Sequence, residues 1–190
     1  MSRASSWPKT DRLHLRPWEE TEAARLLDIR KRREVAKWLS DPTPWTELST
    51  ALEKIADWRL TTRGPGPLGV WAIVPEDAET GTMVPAGTVS LGQLPRSQEV
   101  EIGWYLHPDS SGKGYAAEAA GALLDRALAC GLANVWAIMW PENEASARVA
   151  RSIGMEDLGV VDDPWYGTES DPKSRMFRAA RESRVRPHRS

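Results

Sequence analysis

Ser110-Ser111-Gly112-Lys113-Gly114-Tyr115-Ala116 joins two segments of different period. Upstream, Val100 to His107 alternates as a strand does. Downstream, Gly114 to Cys130 carries Ala116, Ala119, Ala120, Leu123, Leu124, Ala127 and Leu128 at helical spacing, with Gly131 as the stop. A strand-to-helix turn leaves the first helix amides without carbonyl partners, and the positive end of the helix dipole falls at the same place. The glycines let the backbone curl so that several amides converge, and the small Ala116 lets a ligand lie close. The turn therefore suits a phosphate, with Lys113 adding a charge.

Working outward, Leu13 to Leu15 alternates as a strand before Pro17, and Glu19 and Glu20 open a helix through Ala23, Leu26, Leu27 and Ile29. Val35 to Leu39 continues as a short helix that Asp41-Pro42-Thr43-Pro44 closes. Thr46 is placed to cap a third helix with the stripe Leu48, Leu52, Ile55 and Trp58 or Arg59. Strands are expected over Leu68 to Val74, Ala86 to Leu94 and Val100 to His107, their short connections implying an antiparallel meander. After the long helix come a strand from Val135 to Trp140, a helix from Asn143 to Ile153, a strand from Glu156 to Val161 and a last, edge strand from Ser174 to Arg178. This order predicts an α/β (α+β) fold: one mixed, mainly antiparallel sheet of about seven strands with helices on both faces. Its parallel part is the β-α-β crossover around the long helix, where a ligand site is expected. The folded domain spans 11–178, with flexible extensions at 1–10 and 179–190, the latter Arg-rich.

Composition narrows the functions. The 190 residues suit one domain, and 25 Lys plus Arg against 27 Asp plus Glu give a net charge of −2, too balanced for a dedicated nucleic-acid binder. No apolar run approaches the roughly 20 residues of a bilayer span, and no signal peptide opens the chain, so the cytoplasm is the default location and no membrane partner is expected. Cys130 is the only cysteine and the histidines His14, His107 and His188 lie far apart, which excludes an intrachain disulfide and leaves no Cys/His metal site. Ten Trp against one Phe point to aromatic surfaces in the core or in a pocket.

The turn by itself admits three readings. A dinucleotide fold could use Gly112-x-Gly114-x-x-Ala117, but the next strand ends in Ile138-Met139-Trp140 without the acidic ribose ligand. A P-loop needs Ser or Thr after Gly-Lys, where this chain has Gly114. The third is a glycine-bearing helix start with no ligand.

The flanking sequence separates them. Val100-Glu101-Ile102-Gly103-Trp104-Tyr105-Leu106-His107-Pro108, the turn with its helix through Glu118 and Ala119, Trp140-Pro141-Glu142-Asn143-Glu144-Ala145-Ser146, and Ser152-Ile153-Gly154-Met155 together resemble the GNAT acetyltransferases. The opening Thr10-Asp11-Arg12-Leu13-His14-Leu15-Arg16-Pro17 is similar to the RimJ/RimL-like branch, which acetylates ribosomal-protein N-termini. The resemblance implies a GNAT fold with a splayed central strand pair and acetyl-CoA as co-substrate, with no metal. It implies that Ser111, Gly112, Lys113, Gly114, Tyr115 and Ala116 hold the pyrophosphate. Trp104, Tyr105 and Leu106 offer backbone groups to the pantetheine, and Asn143 contacts that arm. Ser111 departs from the usual Arg or Gln, and Ala150 stands where many relatives carry a proton-donating Tyr. Ser146 is then the substitute donor to the departing thiolate.

An amine attacks a thioester only when unprotonated, and an ordinary lysine-like amine has a pKa of about 10.4, so the site must take a proton. Glu101, with Val100, Ile102 and Trp104 around it to raise its pKa, is the first candidate base, with His107 second. Backbone amides near Tyr105 and Leu106 would polarise the carbonyl. Acceptor groups are expected from the first helices and the C-terminal loops: Trp38, Trp45 and Trp165, with Asp41, Asp162, Asp163 and Tyr166, a set suited to a cationic amine. The acceptor is a protein N-terminal α-amine or a small amine. The resemblance is compatible with a monomer or a homodimer. The alternative function is a non-catalytic acyl-CoA-binding module.

Overall fold

The computed structural model describes residues 9–64, 66–76, 83–167 and 173–184. The expected extensions fall mostly outside these, at 1–8 and 185–190. Strand β1 (Leu13–Arg16) buries Leu13 and Leu15 and leaves His14 and Arg16 partly exposed, the period of two that pins one face to a core. Strand β2 (Gly69–Pro75) buries Ala72, Ile73 and Val74 in succession, because helices cover both of its faces. With β3 (Gly87–Gln93) and β4 (Val100–Leu106) it completes the antiparallel meander.

The second half adds β5 (Asn134–Met139), β6 (Glu156–Asp162) and β7 (Lys173–Ala180), giving one seven-stranded sheet in the order β1-β2-β3-β4-β5-β7-β6. Only β4 and β5 run parallel among the described strands, and they share a single register pair, Glu101 with Trp136. The splayed pair is therefore present. The expectation of β7 as an edge strand is overturned. Strand β7 pairs with both β5 and β6, buries Phe177 and Ala179, and runs two residues past the expected domain boundary at Arg178; β6 is the edge. Alternation over five residues does not encode how many neighbours a strand has. Strand β6 carries a bulge between Asp157 and Val160, with Gly159 at φ 77°.

Helices cover the two faces. On one, α4 (Tyr115–Ala129) and α5 (Glu144–Ser152) close a core with Leu13, Leu15, Ile73, Val89 and Ile102. On the other, α1 (Ala23–Arg30), α2 (Arg33–Ala36) and α3 (Leu48–Arg63) enclose Trp18, Leu26, Ile29, Ala72 and Val74. In α3 the expected stripe holds at Ile55 and Trp58 and fails at its N-terminal half. Leu48 and Leu52 are 46% and 38% exposed, while Ala51, Ile55 and Thr62 face the core. Thr62 Oγ1 accepts the Val70 amide at 2.9 Å, so a hydroxyl fastens this helix to β2, a bond that apolar periodicity cannot reveal. Thr46 does not cap it either: Glu47 holds the N-cap position and makes no side-chain cap bond. Beyond β7 the chain makes one polar helical turn, α6 (Arg181–Arg184). No helix among the described residues is long and apolar enough to cross a membrane.

Candidate functional site

Strand β4 divides its side chains between the two faces. Val100, Ile102, Trp104 and Leu106 pack toward α4, whereas Glu101, Gly103 and Tyr105 face the side covered by α1 to α3. Its backbone divides as well. The Leu94 amide donates to Glu99 and the His107 amide to Ala86, so by antiparallel alternation the odd-numbered residues 101 to 107 bond to β3. The backbone groups of Trp104 and Leu106 thus point into the split toward β5, while those of Tyr105 are engaged with β3. Two of the three expected backbone contacts face the split.

Glu101 lies at the vertex of that split. The Tyr166 hydroxyl donates to its Oε2 at 2.8 Å. Burial pushes the Glu101 carboxyl up to about 7, against the lowering pull of Tyr166 and the Ile138 amide, with the charge of Asp163 adding to the rise. The same contact, with burial, pushes the Tyr166 phenol upward. Asp163 holds this corner together: its Oδ1 accepts the amides of Trp165 and Tyr166 at 2.8 and 2.9 Å, and its Oδ2 accepts the Ser174 hydroxyl at 2.7 Å. Trp165 meets Trp136 edge-on at 5.1 Å between centroids, and Trp136 Nε1 donates to Glu99 at 2.6 Å.

His107, the second candidate base, serves structure. It is 5% exposed, its Nε2 lies 2.9 Å from Asp28 Oδ2, and its Nδ1 accepts the Asp109 amide at 3.1 Å. It starts the 3-10 turn Pro108–Ser110 that leads into the glycines. Burial opposes the charge on Asp109, but Arg25, Ser110 and His107 outweigh it and hold that carboxyl well below its usual range.

Gly112 and Gly114 take φ values of 76° and 81°, the left-handed region that favours glycine. The Ser111 amide donates to the Pro108 carbonyl at 3.2 Å, so it is not among the free amides of the turn. The first α4 amides, Tyr115 to Ala117, have no carbonyl within the helix. A side chain built on Gly112 would meet nothing within 4 Å, so the turn is open at that position. The residues therefore fit a diphosphate. Lys113 is exposed, and Arg12 lies across the turn: Nη1 donates to the Lys113 carbonyl at 3.3 Å, while Nε and Nη2 donate to Glu118 Oε2 at 2.8 and 2.6 Å. Thr10 donates to the other Glu118 oxygen. Arg12 was visible only as part of the opening motif; nothing in its local sequence tied it to a turn a hundred residues away.

At the far side of the split, Asn143 is 6% exposed and caps α5, its Oδ1 accepting the Ser146 amide at 3.2 Å. One of its two amide functions is thus committed to the helix. Ser146 is half-buried in the first turn of α5, past the C-terminal end of β5, and Ala150 is fully buried in the core. Among the expected acceptor groups, Trp38 and Trp45 are each faced by a cation of the chain, Lys37 Nζ at 4.5 Å and Arg30 Cζ at 4.4 Å. Asp41 accepts the Thr43 amide, Asp162 pairs with Lys173, and Asp163 is internal. The acids and rings expected to receive a cationic amine are largely engaged with partners from the chain itself. No group of three His, Cys, Asp or Glu among the described residues is arranged to hold a metal ion.

Comparisons with known proteins address the family and the fold. A family model described as an acetyltransferase (GNAT) domain matches residues 12–156. An uncharacterized Bacillus subtilis protein, YkkB, is 31% identical over 150 residues, covering 77% of this chain and 83% of that protein. A crystal structure of an acetyltransferase from Agrobacterium tumefaciens is 30% identical with a TM-score of 0.61, covering 90% and 92% of the two chains. RimL, a ribosomal L7/L12 alpha-N-protein acetyltransferase solved in complex with coenzyme A, is 20% identical with a TM-score of 0.72, covering 92% and 97%, a likeness of fold.

Proposed function

The chain belongs to the GNAT acetyltransferase family, and from that premise we propose that it moves the acetyl group of acetyl-CoA directly onto a primary amine held beside Glu101, both substrates bound at once. The observation that carries the reading is the position of the Glu101 carboxyl at the vertex of the β4–β5 split, bonded to the Tyr166 hydroxyl and pushed up to about 7 by burial. Acetyl-CoA supplies the thioester, whose carbonyl the amine attacks as the carbon–sulfur bond breaks. The chain supplies the rest. The amides from Gly112 to Ala117, with Lys113, bind the pyrophosphate. The backbone groups of Trp104 and Leu106 align the pantetheine and polarise the carbonyl. Asn143 orients the same arm through the amide nitrogen that capping leaves over. Glu101 takes the proton from the attacking amine, and Ser146 gives one to the departing sulfur.

The family likeness supports an amine acceptor and leaves two sources: a protein N-terminus, as acetylated by RimL, or a small amine. Thiol release from acetyl-CoA against a panel of amines and N-terminal peptides tests the reading, with Glu101→Gln and Ser146→Ala alongside. Turnover that falls in Glu101→Gln supports it. Tight coenzyme A binding without turnover on any acceptor would leave the binding-module function or an acceptor outside the panel.

A further inference from the structure

The stretch that forms the glycine turn and the start of α4, residues 108–118, carries two acids, Asp109 and Glu118, against one cation, Lys113. Alone, it would repel a diphosphate rather than hold one. In the fold each acid is met by an arginine from the first part of the chain. Arg25 Nη2 donates to both Asp109 oxygens at 3.0 and 3.1 Å, and Arg12 takes Glu118. The second pair lies at the helix start where the diphosphate is expected.

Glu118 stands in the first turn of α4, and its amide, donating to the Gly114 carbonyl at 3.0 Å, is the first that the helix itself satisfies. A carboxylate at that place competes with a bound anion for the positive end of the helix. Burial opposes its charge, but the Thr10 hydroxyl and the side chain and amide of Arg12 outweigh burial and hold the carboxyl below its usual range. It is therefore ionised at neutral pH, and its charge has to be offset.

Arg12 is held against the turn from several sides. Nε and Nη2 share Glu118 Oε2, the Arg12 amide reaches Oε1 at 3.2 Å, and Nη1 is left for the Lys113 carbonyl. The guanidinium also lies over the Tyr115 ring at 5.4 Å, and Nη2 comes within 3.4 Å of where a Cβ on Gly114 would sit. With Arg12 added, two cations face the two acids. We propose that Arg12 is a positioning residue for acetyl-CoA, cancelling the charge of Glu118 so that the start of α4 accepts the diphosphate. This rests on the acetyltransferase reading and adds a residue to its cofactor site.

Calorimetry with coenzyme A tests it, because binding needs no acceptor. Arg12→Met leaves Glu118 uncompensated and should raise Kd by about tenfold or more. Adding Glu118→Gln removes the uncompensated charge and should bring Kd back to within about threefold of wild type, although the clamp between the two segments is still missing. A merely structural contact would not show that rescue. The pair is partly exposed, 55% for Arg12 and 20% for Glu118, so the Arg12→Met deficit should also shrink between about 0.02 and 0.5 M salt. An unchanged Kd in Arg12→Met, or no recovery in the double variant, overturns the role. Should Arg12→Met not fold, Glu118→Gln alone decides: with the Arg12 charge released it should bind coenzyme A more tightly than wild type, and equal or weaker binding overturns the role. Wild-type protein that binds no coenzyme A overturns the acetyltransferase reading and this one with it, whereas every other outcome bears on Arg12 alone.

Discussion

The Tyr166 hydroxyl reaches Glu101 Oε2 across 2.8 Å, tying the loop after β6 to the strand that carries the candidate base. A raised carboxyl pKa means that the fold prefers the protonated form. The stability this contributes is whole below the ordinary value of 4.5 and is lost as pH climbs through about 7. Catalysis by the carboxylate runs the other way.

The rate, kcat/KM, should therefore rise with pH through an apparent pKa near 7, and Glu101→Gln should lower it by about 10²-fold or more and flatten that limb. Because Tyr166 stabilises the carboxylate, Tyr166→Phe should move the limb to higher pH by roughly half to one unit. A limb that stays in place in Glu101→Gln would assign the proton transfer to another group.

Gly114→Ala forces an ordinary residue into φ 81° and should cost about 1–2 kcal/mol by chemical denaturation. Its coenzyme A affinity should fall further than that of surface controls, since the amides of the turn are displaced. Equal affinity for wild type and variant, by calorimetry, would remove the turn from the binding site.

At position 143 two substitutions separate two roles. Asn143→Ala should lose the cap, about 1 kcal/mol of stability, together with coenzyme A affinity. Asn143→Asp keeps a capping oxygen and removes the amide donor, so stability should hold while affinity drops. Retained affinity in Asn143→Asp would show that the residue only caps.

Asp163→Ala removes the acceptor of two loop amides and of the Ser174 hydroxyl, and should destabilise by about 2–3 kcal/mol. The expected companion effect is a shift of the activity limb, because Tyr166 is no longer held against Glu101. Because the Asp163 charge itself raises the Glu101 carboxyl, Asp163→Asn serves alongside, and a Tyr166→Phe background in which Asp163→Ala shifts the limb by the same amount as in wild type would uncouple the loop from the base.

Much of the sheet was legible because Leu13, Leu15, Val89, Leu91 and Ile102 keep the strand period against one continuous core. The glycine turn was legible because its shape is a matter of local backbone geometry, which Gly112 and Gly114 announce. What the chain hid is long-range. Whether Ser174 to Arg178 lies at an edge depends on Glu156 to Val161, and the burial of Arg30 depends on Trp45 and Tyr105 arriving from two other segments. Likewise His107 reads as a second candidate base until Asp28 closes over it.

Because β6 and not β7 ends the sheet, the strand facing outward is the one with the bulge at Gly159. A flat, regular border would offer its free amides and carbonyls as a template for a neighbouring molecule. Here the bulge breaks the ladder, and Glu156, Asp157 and Asp162 set charge along the same border. The protein should accordingly stay dispersed when concentrated, and a change that regularises this strand, deletion of Gly159, is the one expected to make it stack into fibres.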